Sequence, residues 1–239
     1  MKIKAVMPDK AMDSETLELR GKMLSEVLSD DVELSVGCIK EGPDELDCHT
    51  DEAFAAPELI REAIKAEAEG YEAFVMYCFS DVAVDAIREN VRIPVIGPGE
   101  LTLAIASLMC NRFCVITTES SNIPRTYRRL MKNCIAQTKM TSVKALDIPI
   151  HELRADKNVT QKYLLDVCRK AVIEENADGI ILGCLGMAEY GDYIEANLPV
   201  KVFDPAFLSV AFAEFCVRTG VRHISDMYTP FTNKSNIKL

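Results

Sequence analysis

The sequence predicts an α/β protein made of two similar lobes, each with a parallel sheet and flanking helices. Two observations carry this prediction. Short apolar segments typical of buried strands alternate along the chain with amphipathic segments of helical period. The same order of segments then occurs a second time, and a cysteine at the end of one segment, Cys78, has its counterpart 106 residues later at Cys184.

The first half is predicted to hold four strands and three helices. The strands are residues 3–7, 32–36, 73–77 and 94–96, and the helices are residues 14–28, 58–68 and 81–90. In the second helix the apolar residues recur on one face, and Gly70 marks its predicted end. Asp81 is the predicted cap of the third helix. The Asp51-Glu52 pair is expected at a solvated helix entry.

The second half repeats this order. Its strands are residues 113–117, 142–146, 179–182 and 200–203, and its helices are residues 124–134, 161–175 and 190–197. A proline follows the last strand of each half, at Pro98 and Pro205, and predicts the start of a helix, with Asp204 as the cap before the second proline. The helix at 207–217 and the tail have no sheet of their own and are expected to pack on the first lobe. The predicted domains are therefore 1–97 plus 208–239, and 98–207.

The repeat is clearest at the third strand of each half. Residues 70–78 align with residues 176–184, and each segment is an apolar strand that ends in a cysteine. A chance match of two regular βα units is the alternative. Because the two cysteines themselves coincide, duplication of a lobe explains the repeat better.

Composition limits the possible partners. The formal net charge is −10, which argues against nucleic acid or an anionic membrane as a partner, because both require a basic surface. No apolar run reaches the roughly 18 residues of a membrane helix. The cysteine count is nine, an odd number, and the sequence from Met1 leads straight into a predicted strand, so we expect no secretory leader. We therefore expect a cytoplasmic protein with reduced thiols and a small-molecule substrate.

The position of Cys78 and Cys184 is suited to acid–base chemistry. In an open α/β sheet, ligands bind beyond the carboxyl ends of the strands, and each cysteine directly follows a strand and precedes a predicted helix. A helix N-terminus lowers the pKa of a nearby thiol. A thiolate and a thiol on opposite sides of one carbon could remove a proton from one face and return one to the other. The remaining cysteines are Cys110, Cys114, Cys134, Cys168 and Cys216, read as small apolar core residues, and Cys38 and Cys48, left undecided.

Several motifs, in this order, resemble the aspartate/glutamate/hydantoin racemase superfamily, and most closely its hydantoin and allantoin racemase branch. They extend over nearly the whole chain. They are residues 49–57 (HTDEAFAAP), 78–81 (CFSD), 113–118 (FCVITT), 183–187 (GCLGM) and the tail element 225–230.

The resemblance implies two pseudo-symmetric Rossmann-like lobes with the active site in the cleft between them, no cofactor, and a homo-oligomer. It makes Cys78 and Cys184 the two catalytic residues of a racemase that acts on a 5-substituted hydantoin or an allantoin-like compound. Thr117 and Thr118 match a substrate-binding pair, although ordinary strand-end threonines explain them equally well. The donors to the developing oxyanion are expected from the backbone after each cysteine, at Phe79 and Ser80 and at Leu185 and Gly186.

The chain departs from the branch after its first strand. The usual Asn-Pro-Asn is replaced by Met7-Pro8-Asp9, and an ionised Asp9 only accepts hydrogen bonds, so it is expected to bind an N–H or a cationic group of the substrate. The alternatives are an amino-acid racemase, a maleate-isomerase or decarboxylase relative with one working cysteine, and a non-catalytic binding protein. Metal, redox and nucleotide chemistry are disfavoured, because there is no Cys-x-x-Cys motif, no histidine cluster, no Gly-x-Gly-x-x-Gly and no P-loop.

Overall fold

The computed structural model describes residues 1–131, 134–148, 152–153 and 155–224. The chain forms two compact units. The first is Met1–Pro98 together with the described residues from Ser209 onward, and the second is Gly99–Leu208. The division at 97/98 and 207/208 stays a prediction, because residues 225–239, which include the motif at 225–230, lie outside the described residues.

Unit 1 contains a parallel four-stranded sheet among the described residues, in the order β2-β1-β3-β4. Its strands are β1 (Lys2–Met7), β2 (Glu33–Cys38), β3 (Ala73–Met76) and β4 (Val95–Ile96), and its helices are α1 (Ser14–Ser25), α2 (His49–Ala68) and α3 (Val84–Asn90). Every residue of the central strand β3 is buried, as expected for a parallel strand covered on both faces. The core between sheet and helices includes Phe74, Leu59 and Ile87.

Unit 2 repeats this architecture with the sheet order β6-β5-β7-β8 among its described residues. Its strands are β5 (Phe113–Thr117), β6 (Met140–Ala145), β7 (Gly179–Leu182) and β8 (Lys201–Phe203). Its helices are α4 (Pro98–Met109), α5 (Ile123–Leu130), α6 (Cys134–Lys139), α7 (Lys157–Glu175) and α8 (Gly191–Asn197). The predicted α/β class with two parallel sheets is confirmed.

The helix that follows the last strand of each unit starts at the predicted proline. α4 starts at Pro98, and α9 (Pro205–Thr219) starts at Pro205. The second half of α9 belongs to unit 1, where the Glu214 carboxylate accepts a hydrogen bond from the Ser29 hydroxyl at 2.6 Å. The described residues after α9 continue along this unit, and His223 Nε2 lies 2.9 Å from the Val91 carbonyl oxygen.

The two sheets match in their hydrogen bonds as well as in strand order. In unit 1 the Tyr77 N–H donates to the Val6 carbonyl at 2.8 Å, and in unit 2 the Gly183 N–H donates to the Ile116 carbonyl at 2.7 Å. The donors, Tyr77 and Gly183, are the residues just before Cys78 and Cys184. The backbone therefore leaves the central strand in the same way in both units.

Three predicted helix starts were wrong. α7 begins at Lys157 and not at residue 161, because the Asp156 carboxylate caps the helix there. α2 begins at His49 and runs through Pro57, whereas the prediction started at residue 58. The earlier start is stabilised by Asp51, whose carboxylate accepts the Cys48 N–H at 2.8 Å. α3 begins at Val84, so Asp81 is not its cap, and the capping position falls on Ala83. At the other end of α2, Gly70 takes φ +84, and its role as the helix stop is confirmed.

None of the described helices combines the length and apolar character needed to cross a bilayer.

Candidate active site

Cys78 lies two residues beyond the end of β3, at the carboxyl edge of the sheet of unit 1. Its thiol is partly buried, and Sγ accepts a hydrogen bond from the Ser80 N–H with an N to S distance of 3.5 Å. The chain turns immediately, because the Asp81 N–H donates to the Cys78 carbonyl at 3.2 Å. This turn, rather than the N-terminus of α3, surrounds the thiol.

Cys184 occupies the same place in unit 2, two residues beyond the end of β7. Its partly buried Sγ accepts a hydrogen bond from the Gly186 N–H at 3.4 Å, and the Met187 N–H donates to its carbonyl at 3.0 Å. The residues that follow form a short 3₁₀ helix, Leu185–Met187. Both sulfur atoms therefore accept the N–H two residues ahead.

Each cysteine precedes a helix as predicted, but neither α-helix begins next to the thiol. α3 starts six residues after Cys78 and α8 starts seven residues after Cys184. The N–H groups that reach the sulfur atoms come from the tight turns that directly follow the two cysteines. An N–H donor on sulfur stabilises a thiolate more than a thiol.

The two turns share a strained residue at the same position. Ala83, five residues after Cys78, has φ 57, and Glu189, five residues after Cys184, has φ 78. A left-handed conformation is unfavourable for a residue with a Cβ and persists only where the surroundings impose it. Repetition of this strain in both units indicates that the path of the chain past each thiol is constrained.

The predicted oxyanion donors lie in these turns. The side chains of Phe79 and Leu185 are buried, and the predicted contact from each is its backbone N–H. Ser80 and Gly186 supply the N–H groups to sulfur described above. A Cβ on Gly186 would lie 3.3 Å from the Cys184 Sγ, so the absence of a side chain there keeps the thiol uncrowded.

Thr117 ends β5, which lies next to β7 in the sheet, and Thr118 directly follows it. Both residues are nearly fully buried. The Thr118 hydroxyl accepts a hydrogen bond from the Asn122 side-chain amide at 3.3 Å. The Thr117 carbonyl accepts the Leu146 N–H at 3.0 Å. The pair is at the same sheet edge as Cys184, and its substrate-binding role stays a prediction.

Asp9 lies just beyond the end of β1, the strand next to β3. Burial of its carboxyl group raises its pKa to about 6, against the lowering effects of the Ala11 backbone N–H and the buried Arg20 guanidinium. Glu45 adds a small further increase of this pKa. Asp9 is thus a partly desolvated carboxyl group at the same sheet edge as Cys78.

Known proteins resemble this chain in both sequence and structure. A family model described as Asp/Glu/Hydantoin racemase matches residues 16–213. The chain belongs to the Asp/Glu/hydantoin racemase family. It is 32% identical over 220 residues to a hydantoin racemase of Pseudomonas sp. strain NS671. The aligned residues are 92% of this chain and 87% of that protein.

Further relatives support the same branch of the family. A hydantoin racemase of Rhizobium meliloti is 32% identical over 178 residues, which are 74% of this chain and 73% of that protein. The solved allantoin racemase from Klebsiella pneumoniae superposes with a TM-score of 0.85 at 26% identity, over 93% of this chain and 89% of that chain. The resemblance deduced from the motifs is confirmed, and the chain is an isomerase of the racemase type.

Within this racemase, the buried cysteines fit the predicted structural role. Burial raises the pKa of Cys110 and Cys114 to about 11 and that of Cys168 to about 12, and it also raises the pKa of Cys216. These thiols stay protonated near neutral pH, which disfavours them as bases. Cys134 was wrongly predicted as a core residue, because it starts α6 and its side chain is exposed.

Cys38 and Cys48, left undecided by the sequence, lie in different settings. Cys38 ends β2 and is partly buried, and burial raises its pKa, whereas Cys48 is exposed at the start of α2. Across the described residues, no group of three or more His, Cys, Asp or Glu side chains is arranged to hold a metal ion.

Sequence reasoning treated Asp204 only as a helix cap. That role is confirmed, because Asp204 Oδ1 accepts the Ala206 N–H at 2.9 Å at the start of α9. However, burial also raises the pKa of Asp204 to about 6. Asp204 directly follows β8, which neighbours β7, so the rule that singled out the strand-end cysteines also points to this carboxyl group.

Proposed function

We propose that this racemase inverts C5 of a 5-substituted hydantoin or an allantoin-like compound, without a cofactor, with Cys78 and Cys184 as its acid–base pair. The observation that carries the proposal is the matched placement of the two thiols. Each lies at the carboxyl end of the equivalent central strand and accepts an N–H from two residues ahead. The named activities of the relatives support the choice of substrate class.

The proposed reaction balances with two thiols alone. One cysteine, as a thiolate, removes the C5 proton, and the electron pair of the C–H bond passes into the adjacent ring carbonyl to give a planar enolate. The other cysteine, as a thiol, donates its proton to the opposite face of C5 and becomes the thiolate. No electron leaves the substrate, so no oxidant or reductant is required.

Other residues at the two sheet edges are suited to the rest of this substrate. Backbone N–H groups at Phe79, Ser80, Leu185 and Gly186 are the proposed donors to the enolate oxygen. An ionised Asp9 only accepts hydrogen bonds, so it is suited to an N–H of the ring or of a ureido group. It stands where the family's usual Asn-Pro-Asn has an amide side chain. Thr117 and Thr118 are the proposed polar contacts from unit 2.

The test is single replacement of each cysteine. Cys78→Ala and Cys184→Ala are each incubated with each pure enantiomer of 5-benzylhydantoin or allantoin in deuterated water. Racemisation is followed by chiral chromatography and loss of the C5 proton by NMR. We expect racemisation to vanish in both variants, while each variant still exchanges the C5 hydrogen of one enantiomer, a different one in each.

Cys134→Ala is the matched control, because it removes an exposed thiol outside the proposed pair. It should racemise like the parent protein once the spontaneous rate without enzyme is subtracted. Undiminished racemisation in either the Cys78 or the Cys184 variant rules out the two-base mechanism.

A panel of substrates separates this proposal from its rivals. Hydantoins, allantoin, aspartate, glutamate and maleate are compared by kcat/KM with the unmodified protein. An amino-acid racemase would prefer aspartate or glutamate, and a maleate isomerase would act on maleate. Binding of a hydantoin without any hydrogen exchange would indicate a non-catalytic binding protein.

Assembly into a homo-oligomer is a separate proposal, supported by an exposed apolar surface in unit 2. Leu108 and Met109 at the end of α4 are largely exposed, as is Ile135 on α6. Lys139 joins these helices, because its ammonium group donates to the Ser107 carbonyl at 2.6 Å. Light scattering of the parent protein and of Leu108→Glu measures the oligomeric state, and a monomeric parent protein would contradict the proposal.

A further inference from the structure

Asp204 is placed to act on the Cys184 turn from the neighbouring strand. The register of β7 and β8 pairs Ile181 with Phe203, so one step further Asp204 lies level with Leu182, two residues before Cys184. Its carboxylate accepts the Ala206 N–H at 2.9 Å and is also hydrogen-bonded by the backbone N–H groups of Glu189 and of Phe207. Glu189 is the left-handed residue that ends the Cys184 turn.

We infer that Asp204 is a positioning residue for Cys184: its carboxylate holds the backbone of Glu189 in the left-handed conformation and so fixes the turn that presents the thiol. The inference rests on the proposed function, because it assigns Cys184 a catalytic role. It adds a residue that acts through the cysteine and does not itself need to touch the substrate.

Helix capping alone does not account for an aspartate at this position. Serine and asparagine cap helices about as well as aspartate and bring no charge into the interior. The Asp204 Oδ2 atom is buried and has no hydrogen-bond partner among the described residues. Burying a carboxylate with one unsatisfied oxygen is unfavourable, so an aspartate here indicates a role beyond capping.

The charge next to Asp204 does not favour ion pairing. The neighbouring charge is Glu189, whose negative charge raises the pKa of Asp204 further, and Glu189 itself pairs with Lys157 at 3.7 Å. Asp204 therefore makes its contacts through backbone N–H groups. This type of contact fixes the course of a chain rather than neutralising a side chain.

Unit 1 supplies the natural contrast. When β4 is aligned with β8, the residue that matches Asp204 is Gly97, which has no side chain to hold the turn after Cys78. Asp204 should therefore affect the environment of Cys184 and not that of Cys78. This gives an internal reference within each molecule.

The test measures the two thiols directly in the full chain. Asp204→Ser keeps a good helix cap but is too short to hold Glu189, and Asp204→Asn keeps the shape and one oxygen. Iodoacetamide alkylation of Cys184 and Cys78 is timed by peptide mass spectrometry, and kcat and KM are measured with 5-benzylhydantoin. The matched control is Asp156→Ser, since Asp156 caps α7 through the Asn158 N–H at 3.0 Å.

We expect Asp204→Ser to lower the Cys184-to-Cys78 alkylation ratio roughly tenfold, with a similar fall in kcat and little change in KM. Asp204→Asn should recover part of both, and Asp156→Ser should behave like the parent protein.

An unchanged alkylation ratio in both Asp204 variants, in a parent protein that racemises, overturns the inference alone. A lowered ratio in a parent protein that does not racemise overturns the proposed function and leaves the positioning role standing. If Asp204→Ser does not fold, the Asp204→Asn ratio decides.

Discussion

The turns after Cys78 and Cys184 share backbone features but carry different side chains, and they differ where the left-handed Asp81 matches Met187 of the 3₁₀ helix. Both sulfur atoms accept an N–H from two residues ahead, and both turns include a left-handed residue five positions after the cysteine. The matched positions around them differ in size and charge. They are Tyr77 and Gly183, Ser80 and Gly186, Gly97 and Asp204, and Pro8 and Thr118.

The proposed chemistry requires some features in both turns and other features in only one of them. Proton transfer to and from one carbon needs an acid–base group on each side, and the matched thiols are the proposed pair. A hydantoin has different atoms toward each side, so the contacts that hold the ring need not match. The shared backbone is thus assigned to catalysis and the divergent side chains to recognition and positioning.

The largest expected effect comes from Gly183, the residue before Cys184. A Cβ at this position would lie 2.7 Å from the Ile116 carbonyl oxygen and 2.9 Å from Val115 Cγ1, and the carbonyl, as part of β5, cannot move aside. Gly183→Ala should therefore push β7 away from β5. We expect it to destabilise the fold by about 1–3 kcal/mol and, by displacing Cys184, to lower kcat about a hundredfold. Urea unfolding and steady-state kinetics measure the two effects.

Gly21→Ala is the matched control for this substitution. Gly21 lies in α1, where an added Cβ would make only an ordinary contact of 3.7 Å with Val36 Cγ2. It should stabilise the protein by about 0.5–1 kcal/mol, because alanine favours a helix interior over glycine. Full activity in Gly183→Ala would show that the exit of β7 tolerates a side chain, as the exit of β3 tolerates Tyr77.

The sequence was sufficient to predict the features that depend on local pattern. Buried parallel strands are continuous apolar runs, so β3 and β7 were predicted nearly to their ends, and the two cysteines followed from these ends. The helix starts at Pro98 and Pro205 were equally accessible, because proline is favoured in the first turn of a helix.

The remainder depended on contacts between residues distant in the chain or on backbone conformation. A proline in a helical pattern normally indicates a helix start, and the earlier start of α2 requires the Asp51 hydrogen bond to Cys48. Left-handed Ala83 and Glu189 have no side-chain signal, because neither alanine nor glutamate favours that conformation. The contact of Asp204 with the Glu189 backbone joins segments that only the sheet brings together.

A smaller effect is expected from the two buried carboxyl groups, Asp9 in unit 1 and Asp204 in unit 2. Burial raises both pKa values from 3.8 to about 6. Because the folded state then holds these protons more tightly than the unfolded state, stability falls as pH rises from 3.8 to about 6. Each group should account for roughly 2 kcal/mol of that fall. Urea unfolding at a series of pH values across this window measures it.

Asp9→Asn and Asp204→Asn should each remove part of the fall, and the difference from the parent protein isolates the one carboxyl group. Groups such as Asp178 and Glu195, whose pKa values are lowered, act in the opposite direction and cancel in that difference. Asp9 also feels the Arg20 charge, so the two variants need not give equal changes. A curve that keeps its full slope in both variants would contradict the assignment of raised pKa values to this pair.

The smallest expected effect concerns the left-handed residue shared by the two turns. Glycine adopts this conformation without strain, so Ala83→Gly should stabilise the protein by about 1 kcal/mol, helped by the better capping of α3 by glycine. Glu189→Gly should gain about 0.5 kcal/mol, since its exposed pairing with Lys157 contributes little.

Asn176→Gly is the control, because Asn176 has φ 54 at the end of α7 and asparagine tolerates that conformation. Urea unfolding of all three ranks them, and a gain in only one turn would show that the strain, unlike the hydrogen bonds to sulfur, is not common to the two units.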